Sequence, residues 1–268
     1  VTKLKQELKQ GQIKSLYLFG GEEAYLMDTY VKKVTDLVLD AGLAEFNYSF
    51  YNEDNESYEL FVNDVESYPV MSEKKVIVLK NVSFITQKDY QKPLAELFSN
   101  LPQYVTIIIV AGEETKLKKA LTDIISKNGE IVDFKKQSVA DLQSWINIKL
   151  SRAKKHISSQ DAQYLINLCE RSLDKLAVET DKLISGTTEP QISRDLIDSL
   201  VKVPVEYKIF ALTDKLLSGD CDGAYHVLEG FKLTKVQPIV VFSIIYSQLS
   251  DLLMFKLLGE ERVNAVDY

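Results

Sequence analysis

Five short apolar segments, separated by stretches with helical periodicity, constrain the first half of the chain more than any other feature. The segments span residues 15–21, 46–51, 76–79, 105–111 and 131–134, and the helical stretches span 22–38, 58–65, 90–101 and 116–126. Strands that alternate with helices form parallel sheets covered on both faces, and such strands are continuously apolar. The sequence therefore predicts a five-stranded parallel αβα domain over residues 1–137. The most apolar segment, 105–111, is expected at its centre.

A domain of this outline is typical of P-loop nucleotidases, but the chain departs from them at three positions. Residues 20–23 read Gly-Gly-Glu-Glu where a phosphate loop needs G-x-x-x-x-G-K-[ST], so the lysine is missing and two carboxylates would repel phosphate. Lys80 and Asn81 follow the third strand, where acidic residues would hold magnesium. Residues 111–112 offer no polar side chain to contact a γ-phosphate. These changes predict a domain without ATP hydrolysis, cofactor or metal.

An apolar segment directly precedes the third strand. It consists of Tyr68, Pro69, Val70 and Met71, and we call these four residues the knob. Pro69 stiffens the segment, and methionine adapts its shape to irregular pockets. Small apolar anchors of this kind can dominate a protein interface. The sequence leaves two interpretations open, because the same side chains could instead cap the core of their own domain.

The next stretch, residues 138–203, is predicted to be a small helical domain without strands. Two of its helices have starts that resemble capping boxes, Ser138-x-x-Asp141 and Ser158-x-x-Asp161. Apolar residues follow both starts at helical spacing.

The last stretch, residues 204–268, is predicted to be a second helical domain. Its longest helix begins near Pro238 and is apolar nearly all round, so it must be covered on all sides. A small domain covers such a helix incompletely, which predicts packing against other subunits. The candidate packing residues are Ile239, Phe242, Ile245 and Leu249.

Charge and cysteine usage narrow the class of protein. The chain has 39 acidic and 32 basic residues, a formal charge of −7, which argues against a protein that coats nucleic acid by itself. Cys169 and Cys221 form neither a metal nor a redox spacing, so a reducing, cytoplasmic location is expected. Serine, glutamine, aspartate and lysine interrupt the apolar segment 239–258, which favours a buried helix over a membrane span.

Several of these stretches resemble the delta subunit family of the bacterial DNA polymerase III clamp loader. The resemblance is carried, in the family's order, by residues 16–26, 68–81, 132–134, Leu142-x-x-Trp145-Ile146, 155–158 and 173–179. It implies an AAA+-like domain without a working ATP site, a helical lid over 138–203 and a helical collar over 204–268. The collar of the family is longer than this stretch, so the resemblance implies further helices at the carboxyl end.

The resemblance also implies a task and a set of partners. The family binds the ring-shaped sliding clamp, the beta subunit, and holds one interface open, while ATPase subunits place the ring on primed DNA. The clamp-binding element is the apolar run before the third strand, which is the knob here. The family usually has more Phe or Leu at these positions, so this chain departs from the pattern. The collar implies contact with other loader subunits, and no catalytic residue or membrane contact is implied.

A basic cluster precedes the fifth strand, at Lys116, Lys118 and Lys119. It could face the primed DNA within an assembled loader, or form an ordinary solvated helix face. Two other functions stay open on the sequence: an AAA+ ATPase of the helicase-loader or initiator type with a degenerate phosphate loop, and a free-standing DNA-binding protein. Magnesium-dependent ATP binding by the isolated chain would favour the ATPase. DNA binding by the isolated chain that persists at high salt would favour the free-standing DNA-binding protein.

Overall fold

The computed structural model describes residues 1–112, 117–201, 209, 212–213, 215–233 and 237–257. The chain divides into two compact units, Val1–Ser138 and Val139–Tyr268, and each is described by itself. The finer division into domains at 1–137, 138–203 and 204–268 stays a prediction.

The first unit is built on a five-stranded sheet. Its strands are β1 Leu16–Gly21, β2 Tyr48–Tyr51, β3 Lys75–Lys80, β4 Val105–Ala111 and β5 Glu130–Phe134. They are all parallel and run in the order β2-β3-β4-β1-β5. Every residue of β4 is buried. The predicted five-stranded parallel sheet, with residues 105–111 in its centre, is confirmed.

Helices cover both faces of this sheet. They are α1 Thr2–Lys9, α2 Ala24–Val38, α3 Ala44–Asn47, α4 Tyr58–Glu66, α5 Gln91–Ser99 and α6 Lys119–Asn128, with a 3-10 turn at Ser83–Ile85. On one face the core contains Phe61, Leu94 and Ile125, from α4, α5 and α6. On the other face, Leu8 of α1 and Val34 of α2 pack on the sheet. The strands β1, β3 and β4 therefore bury side chains in both directions, which explains their continuous apolar runs. The edge strands β2 and β5 carry exposed residues as well.

The second strand begins later than the sequence predicts. Residues 46 and 47 belong to α3, and β2 starts at Tyr48 rather than at Phe46. The alternation of aromatic side chains continues through Phe46, but Asn47 donates a hydrogen bond from Nδ2 to the carbonyl of Leu43 four residues earlier, at 3.0 Å. That contact keeps the chain helical up to Asn47.

The second unit is mainly helical. Its described helices are α7 Val139–Arg152, α8 Ser159–Leu168, α9 Leu173–Ser185, α10 Arg194–Leu200, α11 Cys221–Leu233 and α12 Pro238–Leu257. The hydroxyls of Ser158, Ser172 and Ser193 each accept a hydrogen bond from the backbone N–H three residues later. Each such cap contributes about 1 kcal/mol to helix stability. The start of α8 at the predicted Ser158 cap is therefore confirmed.

The prediction that residues 138–203 contain no strand is wrong. Two short parallel strands, β6 His156–Ile157 and β7 Gln191–Ile192, pair in this region. The pairing is reinforced by Lys155, whose Nζ donates to the carbonyls of Thr187 and Glu189 at 2.7 and 2.8 Å. Strands of two residues are too short to produce an alternating pattern, so periodicity could not reveal them.

The end of the second unit contains a small core of its own. Ile209, Leu212, Ala224, Phe231 and Val241 are buried together.

Among the described residues, α12 is the helix that is long and apolar enough to cross a membrane by length and composition alone. Ser243, Gln248 and Asp251 interrupt its apolar surface. Only a narrow part of that surface is covered by the chain itself.

Candidate functional site

The knob lies between the end of α4 and the start of β3, with its side chains directed outward. Tyr68 is 81% exposed, Met71 is 87% exposed and Val70 is 48% exposed, whereas Pro69 is half-buried. Tyr68 and Met71 therefore do not cap the core beneath them. Exposed side chains of this size, next to one another, form an apolar surface on the first unit.

The backbone of the knob is held from below by Asn47, the last residue of α3. Its side-chain oxygen accepts a hydrogen bond from the N–H of Val70 at 2.7 Å, and its Nδ2 donates to the carbonyl of Val70 at 2.9 Å. Asn47 is only 2% exposed. The sequence does not single out Asn47 as a residue of the site. The feature that could have indicated it is a polar side chain within a segment of alternating aromatic residues.

Lys75, the first residue of β3, holds the segment before the knob. Its Nζ donates to the hydroxyl of Ser67 at 2.9 Å, to the carbonyl of Asp64 at 2.6 Å and to the carboxylate of Asp64. The ammonium lies at the carboxyl end of α4, where a positive charge is favourable. Lys75 is 5% exposed, so these contacts compensate for its removal from water.

Two further contacts complete the surroundings of the knob. The hydroxyl of Tyr104 donates to the carbonyl of Glu66 at 3.0 Å, and its ring centroid lies 5.1 Å from that of Tyr68. Met71 has a φ of +52°, a left-handed conformation that costs a non-glycine residue about 1–2 kcal/mol. The hydrogen bonds on both sides of Met71 offset this cost. The site is thus a fixed backbone that presents exposed apolar side chains.

A second feature lies at the carboxyl end of β1, where a P-loop nucleotidase binds phosphate. Gly21 has a φ of +124°, and a Cβ at this position would stand 2.5 Å from the carbonyl oxygen of Phe134. The N–H groups of Glu22 and Glu23 donate to that same oxygen, at 3.0 and 3.1 Å. The amides that would surround a phosphate in a P-loop are therefore occupied by a carbonyl of the chain, and Gly21 allows the close approach.

The sequence predicts that the carboxylates of Glu22 and Glu23 both lie where phosphates would bind, and this prediction is wrong for Glu23. Its side chain turns inward, is 6% exposed, and accepts a hydrogen bond from the N–H of Gln137 at 2.8 Å. The side chain turns inward because the backbone N–H of Gln137 needs a hydrogen-bond acceptor there, and the carboxylate of Glu23 provides it.

The residues after β3 are also engaged within the chain. Lys80 Nζ donates to both carboxylate oxygens of Asp28, at 2.7 and 2.9 Å. The side-chain oxygen of Asn81 accepts from the N–H of Gly112 at 3.1 Å. These residues line a crevice of about 380 Å³. Within the described part of the chain, no group of three or more His, Cys, Asp or Glu residues is arranged to hold a metal.

The remaining predicted residues fall at two other places. Lys118 and Lys119 are exposed at the amino-terminal end of α6, and Lys116 lies outside the described residues. On α12, Ile239 is 64%, Phe242 is 66% and Leu249 is 47% exposed. Ile245 is half-buried against the small core of the same unit. Three of the four candidate packing residues are thus accessible, and the fourth packs within the chain.

A family model, a relative and a solved structure each match this chain to the DNA polymerase III delta subunit. The family model described as DNA polymerase III, delta subunit, matches residues 17–135. DNA polymerase III subunit delta of Bacillus subtilis is 23% identical over 266 residues, covering 96% of this chain and 76% of that relative. The structure of the Bacillus subtilis DNA clamp loader delta protein covers 92% of this chain and 76% of its own, with a TM-score of 0.65 and 21% identity. The resemblance of this chain to the DNA polymerase III delta subunit family is thereby confirmed, by the family model over the first unit and by the Bacillus subtilis relative over nearly the whole length.

Proposed function

We propose that the chain is a non-catalytic subunit of the bacterial DNA polymerase III clamp loader that binds the sliding clamp and opens it for loading onto primed DNA. The observation that carries the proposal is the knob. The side chains of Tyr68, Val70 and Met71 are exposed, and the main chain of Val70 is held by Asn47. The knob also occupies the segment before β3 that the resemblance to the delta subunit family identifies as the clamp-binding element.

The knob has the physical properties of a binding element. Burial of one Val or Met side chain in a partner's pocket contributes about 1.5–3 kcal/mol, so Tyr68, Val70 and Met71 together can supply most of a micromolar affinity. The ordered backbone reduces the entropy that binding would otherwise cost. The departure from Phe or Leu changes the shape of the anchors but leaves their apolar character.

The crevice beside β1 supports the non-catalytic part of the proposal. A nucleotide would have to displace the carbonyl of Phe134 from the amides of Glu22 and Glu23. It would also meet the ion pair of Lys80 and Asp28 in place of a magnesium site. We therefore assign no catalytic residue, cofactor or metal to this chain.

The other partners follow from the same assignment. The exposed residues Ile239, Phe242 and Leu249 of α12 are proposed to pack on other loader subunits, with Ile245 supporting them from within. Lys118 and Lys119 stand at the positive end of α6, where cations are unfavourable for the helix itself. We propose that they face primed DNA in the assembled, cytoplasmic loader, and Lys116 is proposed with them.

A binding experiment with the purified sliding clamp tests the proposal. The double variant Val70→Asp with Met71→Asp is expected to lose clamp binding while its circular dichroism and thermal unfolding stay unchanged. Leu60→Asp is the matched control, because Leu60 is 59% exposed on α4 of the same unit. Full binding by the double variant, or magnesium-dependent ATP binding by the wild-type chain, would contradict the proposal. The second result would favour the ATPase of the helicase-loader type.

A further inference from the structure

We propose that Asn47 is the residue that positions the knob for binding, by holding the main chain of Val70 from the interior of the first unit. The inference rests on the proposed function, since it assumes that the knob is the binding element. The inference assigns a role in binding to Asn47, which lies 23 positions before Val70 in the sequence. Asn47 is buried, so it cannot contact a partner itself.

The hydrogen-bonding capacity of Asn47 is used almost completely within the chain. Its two amide hydrogens go to the carbonyls of Val70 and Leu43, and its oxygen accepts from the N–H of Val70. Asparagine combines one acceptor and two donors on a short side chain. Aspartate has the same shape but lacks the donors, alanine lacks both, and glutamine is longer by one carbon. The site therefore has a strict chemical requirement.

Asn47 acts on the knob itself, whereas the neighbouring contacts act on its flanks. Lys75 and Tyr104 bond to Ser67 and Glu66, before the knob, and the hydroxyl of Ser72 donates to Asp40 after it. Among the hydrogen bonds of the described residues, the ones that involve the main chain of residues 68–71 are the two between Asn47 and Val70, one donated and one accepted by Asn47.

The conformation that Asn47 fixes includes an unfavourable residue. Met71 directly follows Val70 and has a left-handed backbone. Without Asn47, the chain at Val70 and Met71 is free to relax to more favourable dihedral angles, and the exposed side chain of Met71 gives little to oppose this. The apolar surface would then be present in only a fraction of the molecules.

This mechanism has a kinetic signature. When only a fraction of a protein is competent to bind, the apparent dissociation constant rises in inverse proportion to that fraction. The association rate constant falls by the same factor, while the dissociation rate constant of the complex changes little. A residue that only stabilised the fold would change neither constant at a temperature where the protein stays folded.

Binding kinetics of the whole chain to the immobilised sliding clamp test the inference. Asn47→Ala is expected to raise the dissociation constant about tenfold, through slower association. Asn47→Asp places a buried carboxylate against the carbonyl oxygens of Val70 and Leu43, so it is expected to bind no better than Asn47→Ala. Asn55→Ala is the matched control, because Asn55 also accepts from a backbone N–H, that of Asn52, and donates to a carbonyl, that of Phe50. It should bind like the wild type.

Hydrogen exchange keeps the effects on folding and on binding apart. In Asn47→Ala the amide of Val70 should lose protection, while the amides of β3 and β4 keep theirs. Wild-type association by a folded Asn47→Ala whose Val70 amide exchanges freely would overturn the inference. Should Asn47→Ala unfold, Asn47→Ser, which introduces no buried charge, decides by the same two measurements.

The double variant Val70→Asp with Met71→Asp separates this inference from the proposed function. If the double variant binds fully, the proposed function fails. If it loses binding while the Asn47 variants bind normally, only the positioning role of Asn47 fails.

Discussion

Lys75 and Asp64 form a buried ion pair across the base of the knob. The ammonium of Lys75 donates to both the carboxylate and the main-chain carbonyl of Asp64, and thereby joins the end of α4 to the start of β3. The side chain of Lys75 is 6% exposed and that of Asp64 is 17% exposed. Lys75 is therefore less able than Asp64 to be solvated by water when its partner is removed. The variants of the two residues should differ in stability for this reason.

Removal of Asp64 should cost more than removal of Lys75. Asp64→Ala leaves the buried ammonium without a countercharge, which is expected to reduce the free energy of unfolding by about 3 kcal/mol. Lys75→Met replaces the charge by an apolar chain of similar length and should cost about 1 kcal/mol, because Asp64 retains access to water. Urea unfolding measures both values, and equal losses would contradict this account of the pair.

Gly21 is predicted to tolerate replacement poorly, because it combines a positive φ with a close approach to backbone atoms. Gly21→Ala would place a Cβ 2.5 Å from the carbonyl oxygen of Phe134 at a φ of +124°, so the loop after β1 must shift. A loss of about 3 kcal/mol in the free energy of unfolding is expected.

Gly11→Ala is the matched control for Gly21→Ala. Gly11 also has a positive φ, +69°, but has no atom within 4 Å of the position of a Cβ. Only the backbone cost of about 1 kcal/mol should appear there. Similar losses for the two variants would show that the contact with Phe134 does not constrain the loop.

Glu130 gives the first unit a predicted dependence of stability on pH. Burial, and then a hydrogen bond with Glu7, raise the pKa of Glu130 above its usual 4.5. A carboxyl whose pKa is raised by folding contributes stability below its unfolded pKa, and that contribution is lost as the pH rises through the folded pKa. Glu130→Gln cannot ionise and should avoid this loss.

Thermal unfolding of Glu130→Gln and wild type from pH 4 to pH 8 tests this prediction. The melting temperature of the variant, relative to wild type, should increase as the pH rises above 4.5. The pKa of Glu7 is lowered, first by its hydrogen bond with Glu130, and makes the opposite contribution at low pH. A difference that is constant with pH would mean that Glu130 has an ordinary pKa.

The two cysteines should differ sharply in reactivity. Cys169 is buried, and burial raises the pKa of its thiol to about 12, whereas Cys221 is exposed. Because the thiolate is the reactive form, iodoacetamide at pH 8 should modify Cys221 and leave Cys169 unmodified in the folded chain. Mass spectrometry of tryptic peptides gives the result, and equal labelling without denaturant would contradict the burial of Cys169.

The sequence was sufficient for the features that depend on long periodic patterns. The five strands, the central position of 105–111 and the cap at Ser158 follow from apolar runs and from local capping chemistry. The position of the knob before β3 was also accessible, because a proline and a methionine beside a strand are visible without structure.

The features that the sequence could not supply are long-range contacts. The hydrogen bonds between Asn47 and Val70 join residues 23 positions apart, and the two-residue strands β6 and β7 join segments about 35 positions apart. Neither of these contacts produces a periodic pattern of apolar residues in the sequence. The inward turn of Glu23 toward Gln137, 114 positions away, has the same cause. Such contacts form because some backbone N–H and C=O groups still lack hydrogen-bond partners after the helices and strands have packed. The sequence does not show which groups these are.

The most direct test of the central claim is the dissociation constant of the isolated chain for the sliding clamp, measured by calorimetry for Met71→Ala. Met71 is 87% exposed, so its truncation should leave the fold unchanged. If the knob is the binding element, the dissociation constant should rise about 10-fold to 100-fold, as expected for the loss of one buried methionine. Leu60→Ala, on α4, should bind like wild type. A wild-type dissociation constant for Met71→Ala would contradict the assignment of clamp binding to the knob.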